Sequence, residues 1–173
     1  MTTPATAEAP ASATPDLRQR IGHIAGVLAS TEFPTGERAR LRRLDPTQAP
    51  ELAFYRFAFR HLPEDWERSQ DAWMTLVAGI ALMGQTAHRP DRPAGQALAE
   101  AGYAESRLER LLAAEDTTLH TLLLRAARFL AAKNASCNWV DFAWLLLANN
   151  RERQESARLA IARAFYRNLK DKD

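Results

Sequence analysis

Cysteine is nearly absent from this 173-residue chain, Cys137 being the only one. One thiol cannot build an internal disulfide framework, which suits a reducing compartment. A small buried thiol beside Trp139 is the simpler reading of it than a nucleophile. Lysine is also scarce: of 23 basic residues only Lys133, Lys170 and Lys172 are lysine. Valine and isoleucine are few, polar–apolar alternation is rare, and no Asn-Gly or Asp-Gly dipeptide occurs, so strands and hairpins find no support. No apolar run approaches the ~20 residues that a membrane helix needs. The opening stretch, MTTPATAEAPASATP, has neither a basic n-region nor an apolar h-region; it reads as a disordered tail over residues 1–15, not a signal peptide. These absences lead to the expectation of a soluble, cytoplasmic protein that crosses no membrane.

Motifs of common chemistry are missing as well. There is no G-x-x-x-x-G-K-[ST] and no G-x-G-x-x-G, the loops that cradle phosphates. The four histidines, His23, His61, His88 and His120, show no metal-ligand spacing and have no cysteine partners. Glu64, Asp65, Glu67 and Asp71 gather at a helix start, and Glu115 and Asp116 at another, where they complement the helix dipole. Neither group comes with a nucleophile in a catalytic arrangement. The chain is therefore expected to be no enzyme, with no catalytic residue, no metal and no cofactor.

What the sequence has in quantity is helical periodicity, with 46% hydrophobic residues to supply a core. Leu17, Ile21, Ile24 and Leu28 recur on one helix face after a possible Asp16 cap. GERARLRRL (36–44) is a short arginine-rich helix. Pro50 can open a helix carrying Leu52, Tyr55, Phe59 and Leu62 on adjoining turns. A longer helix should run from about Asp65 to Met83. The segment GQTAHRPDRPAG (84–95) has prolines and glycines but no periodicity, and reads as a linker or exposed loop. Further helices are expected over 95–101, 104–114, 117–133, 139–148 and 152–170, the fourth capped by Asn138. The expected fold class is all-α: an N-terminal bundle over 16–84, a loop over 85–94 and a C-terminal bundle over 95–173. Trp73, Leu76, Ile80, Leu111, Leu122, Phe129, Trp139, Phe142 and Phe165 are the expected core.

The remaining signal is arginine. Net charge is only +2, so the chain is no polycation; the skew is in residue type. Guanidinium forks bind phosphate in a bidentate way and stack on bases. On a helix over 119–130, Leu119, Leu122, Leu123, Ala126, Phe129 and Leu130 share a face, with Arg128 opposite and Arg125 at the edge. Ile161, Phe165 and Leu169 share another face, opposite Arg163, Arg167 and Lys170. Arginines spread over several helices suit a surface tracking an extended backbone better than a single recognition helix. Some should simply be solvated and paired with local acids, such as Arg107 with Glu105, or Arg153 with Glu152 and Glu155. Two other readings stay open. GQALAEAGYAESRLERLL (95–112) has the outline of a helix-turn-helix DNA-binding regulator, although its turn is one residue short and a plain helical hairpin ended by Gly102 fits as well. A helical protein–protein adaptor is the third.

Several stretches together are similar to a known family. ELAFYRF (51–57), GQALAEAGYAESRLERLLAAED (95–116), LLLRAARFL (122–130), NWVDFAWLLL (138–147) and ARLAIARAFYR (157–167) resemble CasB, the small subunit of the type I-E CRISPR surveillance complex Cascade. The resemblance runs from about Arg38 to Lys170. It implies two small helical bundles, no catalysis, and a role supporting the guide–target duplex and the displaced DNA strand during R-loop formation. The implied partners are other Cascade subunits, the crRNA, the target and displaced strands, and a second copy of the chain. By resemblance, Arg42, Arg43 and Arg68 would face nucleic acid, and Arg107, Arg125 and the Arg151–Arg153 pair lie where the family also carries basic residues. Arg128, Arg158 and Arg163 join them from their helical positions.

Overall fold

The structure, a computed structural model, describes residues 17–169; the Asp16 cap and the 1–15 tail lie outside the described residues. Its elements are α1 (Leu17–Ala29), α2 (Thr35–Leu41), α3 (Leu52–His61), α4 (Gln70–Met83), α5 (Ala94–Glu100), α6 (Glu105–Ala113), α7 (Asp116–Ala132), α8 (Trp139–Leu147) and α9 (Arg151–Asn168). Short 3-10 turns precede and follow α4, at Trp66–Ser69 and Gly84–Thr86. No strand occurs among the described residues beyond one isolated bridge between His88 and Cys137. The fold is all-α.

Helix α4 is the central element. Ten consecutive residues, Ala72 to Ala81, are buried, as befits a helix covered on all sides. It packs against α7 and α8 from the second half of the chain and against α1 and α2 from the first. One contiguous hydrophobic cluster therefore reaches from Leu17 to Phe165. The segment between α4 and α5 begins with the 3-10 turn and continues as a loop that is docked and not merely exposed. The Arg89 amide donates to the Cys137 carbonyl at 2.9 Å, the Cys137 amide to Ala87 at 3.1 Å, and the Asn138 amide to Arg92 at 2.7 Å. The Trp139 amide donates to His88 Nδ1 at 3.1 Å, and Asp141 Oδ2 accepts the Ala94 amide at 2.9 Å. The last two bonds satisfy amides left over at the starts of α8 and α5. Cys137 is fully buried there, and burial pushes its thiol up, out of the range of a nucleophile.

Local chemistry explains the helix ends. Asn138 caps α8 as expected, accepting from the Val140 amide, and Asn150 does the same for α9 through Arg153. Gly102, at φ +85°, ends α5. Its amide reaches the Ala99 carbonyl and the Tyr103 amide reaches Leu98, the Schellman pattern that favours glycine. Gly95 has a different task. A Cβ there would enter the backbone of Ile161 and Phe165, so its absence lets α5 lie directly on α9.

Some expectations need correction. The helix expected from Asp65 starts at Gln70, after a 3-10 turn that buries Trp66. Pro50 precedes the N-cap Glu51 instead of occupying the first helical position. On α3 the buried face is Ala53, Phe54, Phe57 and Ala58, while Leu52 and Phe59 are each 72% exposed. Seven of the ten positions of LAFYRFAFRH are apolar or aromatic, so periodicity could not select the face; packing selects it, with Phe33 edge-on to Phe57 and Trp66 edge-on to Phe54, although Trp66 also meets the exposed Phe59. Of the expected core, Leu122 and Phe129 are only half-buried, because α4 meets α7 along Leu123, Leu124, Ala126, Ala127 and Leu130.

Candidate nucleic-acid interface

The fold sorts the arginines into three groups. Some are tied to acids: Arg56 to Glu37 at 3.1 Å, Arg89 to Asp91 at 2.9 Å, and Arg92 to Glu100 at 2.7 Å. Others hold carbonyls. Arg38 donates to Leu28 at 2.8 Å and to Ser30 at 2.7 Å, so it caps the carbonyl end of α1. Arg20 donates to the His61 carbonyl. The third group is exposed and forms no ion pair with any described carboxylate; it holds the expected Arg42, Arg43, Arg68, Arg107, Arg125, Arg128, Arg151 and Arg163, and also Arg40, Arg60, Arg110, Arg153 and Arg167. The local pairs expected for Arg107 and Arg153 do not form; Glu155 is taken by Arg158 instead, at 3.1 Å.

Arg158 differs from the other eight expected residues. Its side chain is 14% exposed. It donates to the Ala114 carbonyl at 3.2 Å as well as to Glu155, tying α9 to the turn between α6 and α7. That side chain has a structural task in this fold.

Three of the expected residues converge. Arg42 and Arg43 follow the end of α2, and Arg128 projects from the outer side of α7. Together with Ala39 and Leu82 they line an open cleft of about 560 Å³. Arg125 stands one turn before Arg128 on the same side of α7. Asp45 borders the group. The Thr47 hydroxyl and amide hold its carboxyl below the usual range, with the Arg128 charge acting in the same direction. Three arginines lining one cleft that no carboxylate lines leave a local excess of positive charge that an anion relieves. No local pattern could have paired Arg42 and Arg43 with Arg128, because α4 has to bring α2 and α7 together first. Arg68 sits on the 3-10 turn before α4, Arg107 in the first turn of α6, and Arg151 and Arg163 on α9; none of these lines the cleft.

The histidines also find partners that their spacing hid. His23 Nε2 and His61 Nδ1 lie 3.1 Å apart. His120 Nδ1 lies 2.8 Å from the Thr75 hydroxyl, which donates to the Asp71 carbonyl. A hydroxyl has one proton, so His120 is the donor in that pair. Burial lowers the pKa of His61, His88 and His120. Among the described residues no group of three or more histidine, cysteine or carboxylate side chains could hold a metal ion, and no helix is long and apolar enough to cross a membrane.

This geometry defines a class: an all-helical scaffold that presents unpaired guanidinium groups from several helices. The chain belongs to the family of the CRISPR-associated protein Cse2, also called CasB, whose model matches residues 37–166. It is also similar to a chain in a crystal structure of E. coli Cascade bound to a PAM-containing dsDNA target. That match has a TM-score of 0.64 and 22% identity, and covers 84% of this chain and 95% of the other. No curated protein matches the sequence.

Proposed function

We propose that this chain is a non-catalytic subunit of a type I-E CRISPR effector complex, where its arginine surface supports the guide–target duplex and holds the displaced DNA strand. The observation that carries the reading is the convergence of Arg42, Arg43 and Arg128 on one cleft in a Cse2-family chain. Arg68, Arg107, Arg125, Arg151 and Arg163 extend the surface, and Arg158 contributes by holding α9 in place. In such a complex, guide pairing supplies sequence specificity, so the protein need only contact backbone and shape. R-loop formation is a near-balanced exchange of one duplex for another, and contacts to the displaced strand tip it. Rigid helices carrying unpaired arginines suit that task. The partners are the other subunits and the crRNA, the two DNA strands, and a second copy of the chain.

The test uses the reconstituted complex. Target-DNA binding and strand opening are compared between wild-type protein and the paired substitutions R42A/R43A and R125A/R128A. Loss of R-loop stability with assembly intact supports the reading. No effect from either pair points to an adaptor. A strong preference of the chain alone for one duplex sequence points to a DNA-binding regulator.

A further inference from the structure

Of the four tryptophans, three are interior: Trp66, Trp73 and Trp139 are 3%, 5% and 0% exposed. Trp144 is 43% exposed. It forms one wall of a groove of about 450 Å³ between α8 and α9, lined also by Asp141, Arg153, Ser156, Ala157 and Ala160. The α9 side chains are small there, which leaves a slot beside the indole. Arg153 stands at the first turn of α9, where its amide is held by Asn150 Oδ1 at 2.9 Å. Its guanidinium forms no ion pair with any described carboxylate, since Glu155 is engaged by Arg158.

These two features make different demands. A half-exposed indole beside small residues wants a flat apolar face, because aromatic surface gains by leaving water and by offset stacking. An unpaired guanidinium at the same groove wants an anion, and the groove's one carboxylate, Asp141, accepts the Ala94 amide and forms no ion pair with Arg153. An apolar protein helix meets the first demand and leaves the second unmet. A nucleotide meets both, with its base on the ring and its phosphate on the arginine. We infer that the groove between α8 and α9 receives an unstacked base of a single-stranded nucleic acid, with Trp144 as the stacking platform and Arg153 on the neighbouring phosphate. The inference rests on the nucleic-acid reading above and adds to it a base-contacting element apart from the phosphate-contacting arginines.

The experiment measures binding of the full chain at low salt to fluorescein-labelled dT15 and to an abasic strand of the same length and charge. Wild-type protein should bind dT15 more tightly than the abasic strand. Trp144→Ala should weaken dT15 binding by on the order of tenfold and bind the two strands alike. Trp144→Phe, which keeps an aromatic face, should retain the preference. Arg43→Ala should weaken both strands equally. Circular dichroism checks that each variant keeps its helix content, and the comparison of the two strands on wild-type protein needs no variant at all. If wild-type protein binds both strands equally and in a salt-dependent way, the stacking groove is overturned while the phosphate surface stands. If it binds neither, the stacking groove is overturned, while the nucleic-acid reading is still decided by the arginine pairs in the reconstituted complex. If Trp144→Ala blocks assembly of the complex yet leaves dT15 affinity unchanged, the groove is a protein interface and the inference is wrong.

Discussion

The indole of Trp139 lies against Gly79, so close that a Cβ on residue 79 would enter the ring. Trp139 is fully buried, and this contact is where α8 crosses α4. Two effects oppose each other in Gly79→Ala. Helix propensity favours alanine by about 1 kcal/mol, whereas overpacking a tight contact costs ~1–3 kcal/mol. The backbone there cannot move without shifting the central helix, so we expect a net loss of stability in a urea or thermal melt. Gly22 and Gly26 are the counter-case. A Cβ at either meets nothing within 4 Å, and both lie inside α1. Alanine at those positions should raise stability by about 0.5–1 kcal/mol each.

Phe165 is fully buried in α9, whereas Phe59 on α3 is 72% exposed. Phe165→Ala should cost ~3–5 kcal/mol, enough to unfold much of the population of a marginally stable domain. Phe59→Ala, which loses only an edge-on contact with Trp66, should cost about 0.5–1.5 kcal/mol. Equal midpoints for the two variants in denaturant would contradict the burial pattern.

Arg158→Ala should behave unlike Arg43→Ala. Removing Arg158 leaves the Ala114 carbonyl without its charged donor and frees α9 from the α6–α7 turn. A hydrogen bond to a charged group contributes about 1.5–3 kcal/mol, so the melting temperature should fall. Arg43 is exposed and unpaired, so its loss should leave the melt unchanged. It should instead lower the slope of log affinity against log salt for single-stranded DNA by roughly one unit.

Stability should fall on mild acidification. His88 Nδ1 accepts the Trp139 amide and must be unprotonated to do so. Burial lowers its pKa, as it does for His61 and His120. Unfolded histidine titrates near 6.5. Below that value the unfolded chain binds protons that the folded chain refuses, so stability is full above about pH 6.5 and is lost as pH drops through it. His88→Asn offers an amide oxygen as acceptor without a titrating ring. Its melting temperature should decline less steeply between pH 7 and pH 5 than that of the wild type.

The helices were legible because an apolar seam at 3.6-residue spacing is a local property, and so were the ends that carry a capping residue. Asn138 before Trp139 and Gly102 after α5 act through backbone groups within a few residues of themselves. Family membership was legible for a related reason: it rests on the order and spacing of such segments along the chain. Other features were not. Apolar and aromatic residues fall all round α3, so its buried face waited on the packing of distant residues such as Phe33 against Phe57. Leu122 and Phe129 lie at the edge of the α7 seam, and the packing of α7 left them outside the fully buried set.

Sequence alone determined that this protein is helical, about where its helices lie, and that its positive charge is carried by arginine. Tertiary structure alone decided which arginines are committed to carbonyls and acids and which remain unpaired. It joined Arg42 and Arg43 to Arg128 across one cleft, set Trp144 beside Arg153, and brought His88 to the start of α8. The physical reason is range. Periodicity and capping act over a few residues, whereas a side chain's charge partner is whatever the packing of distant helices brings within a few ångströms of it.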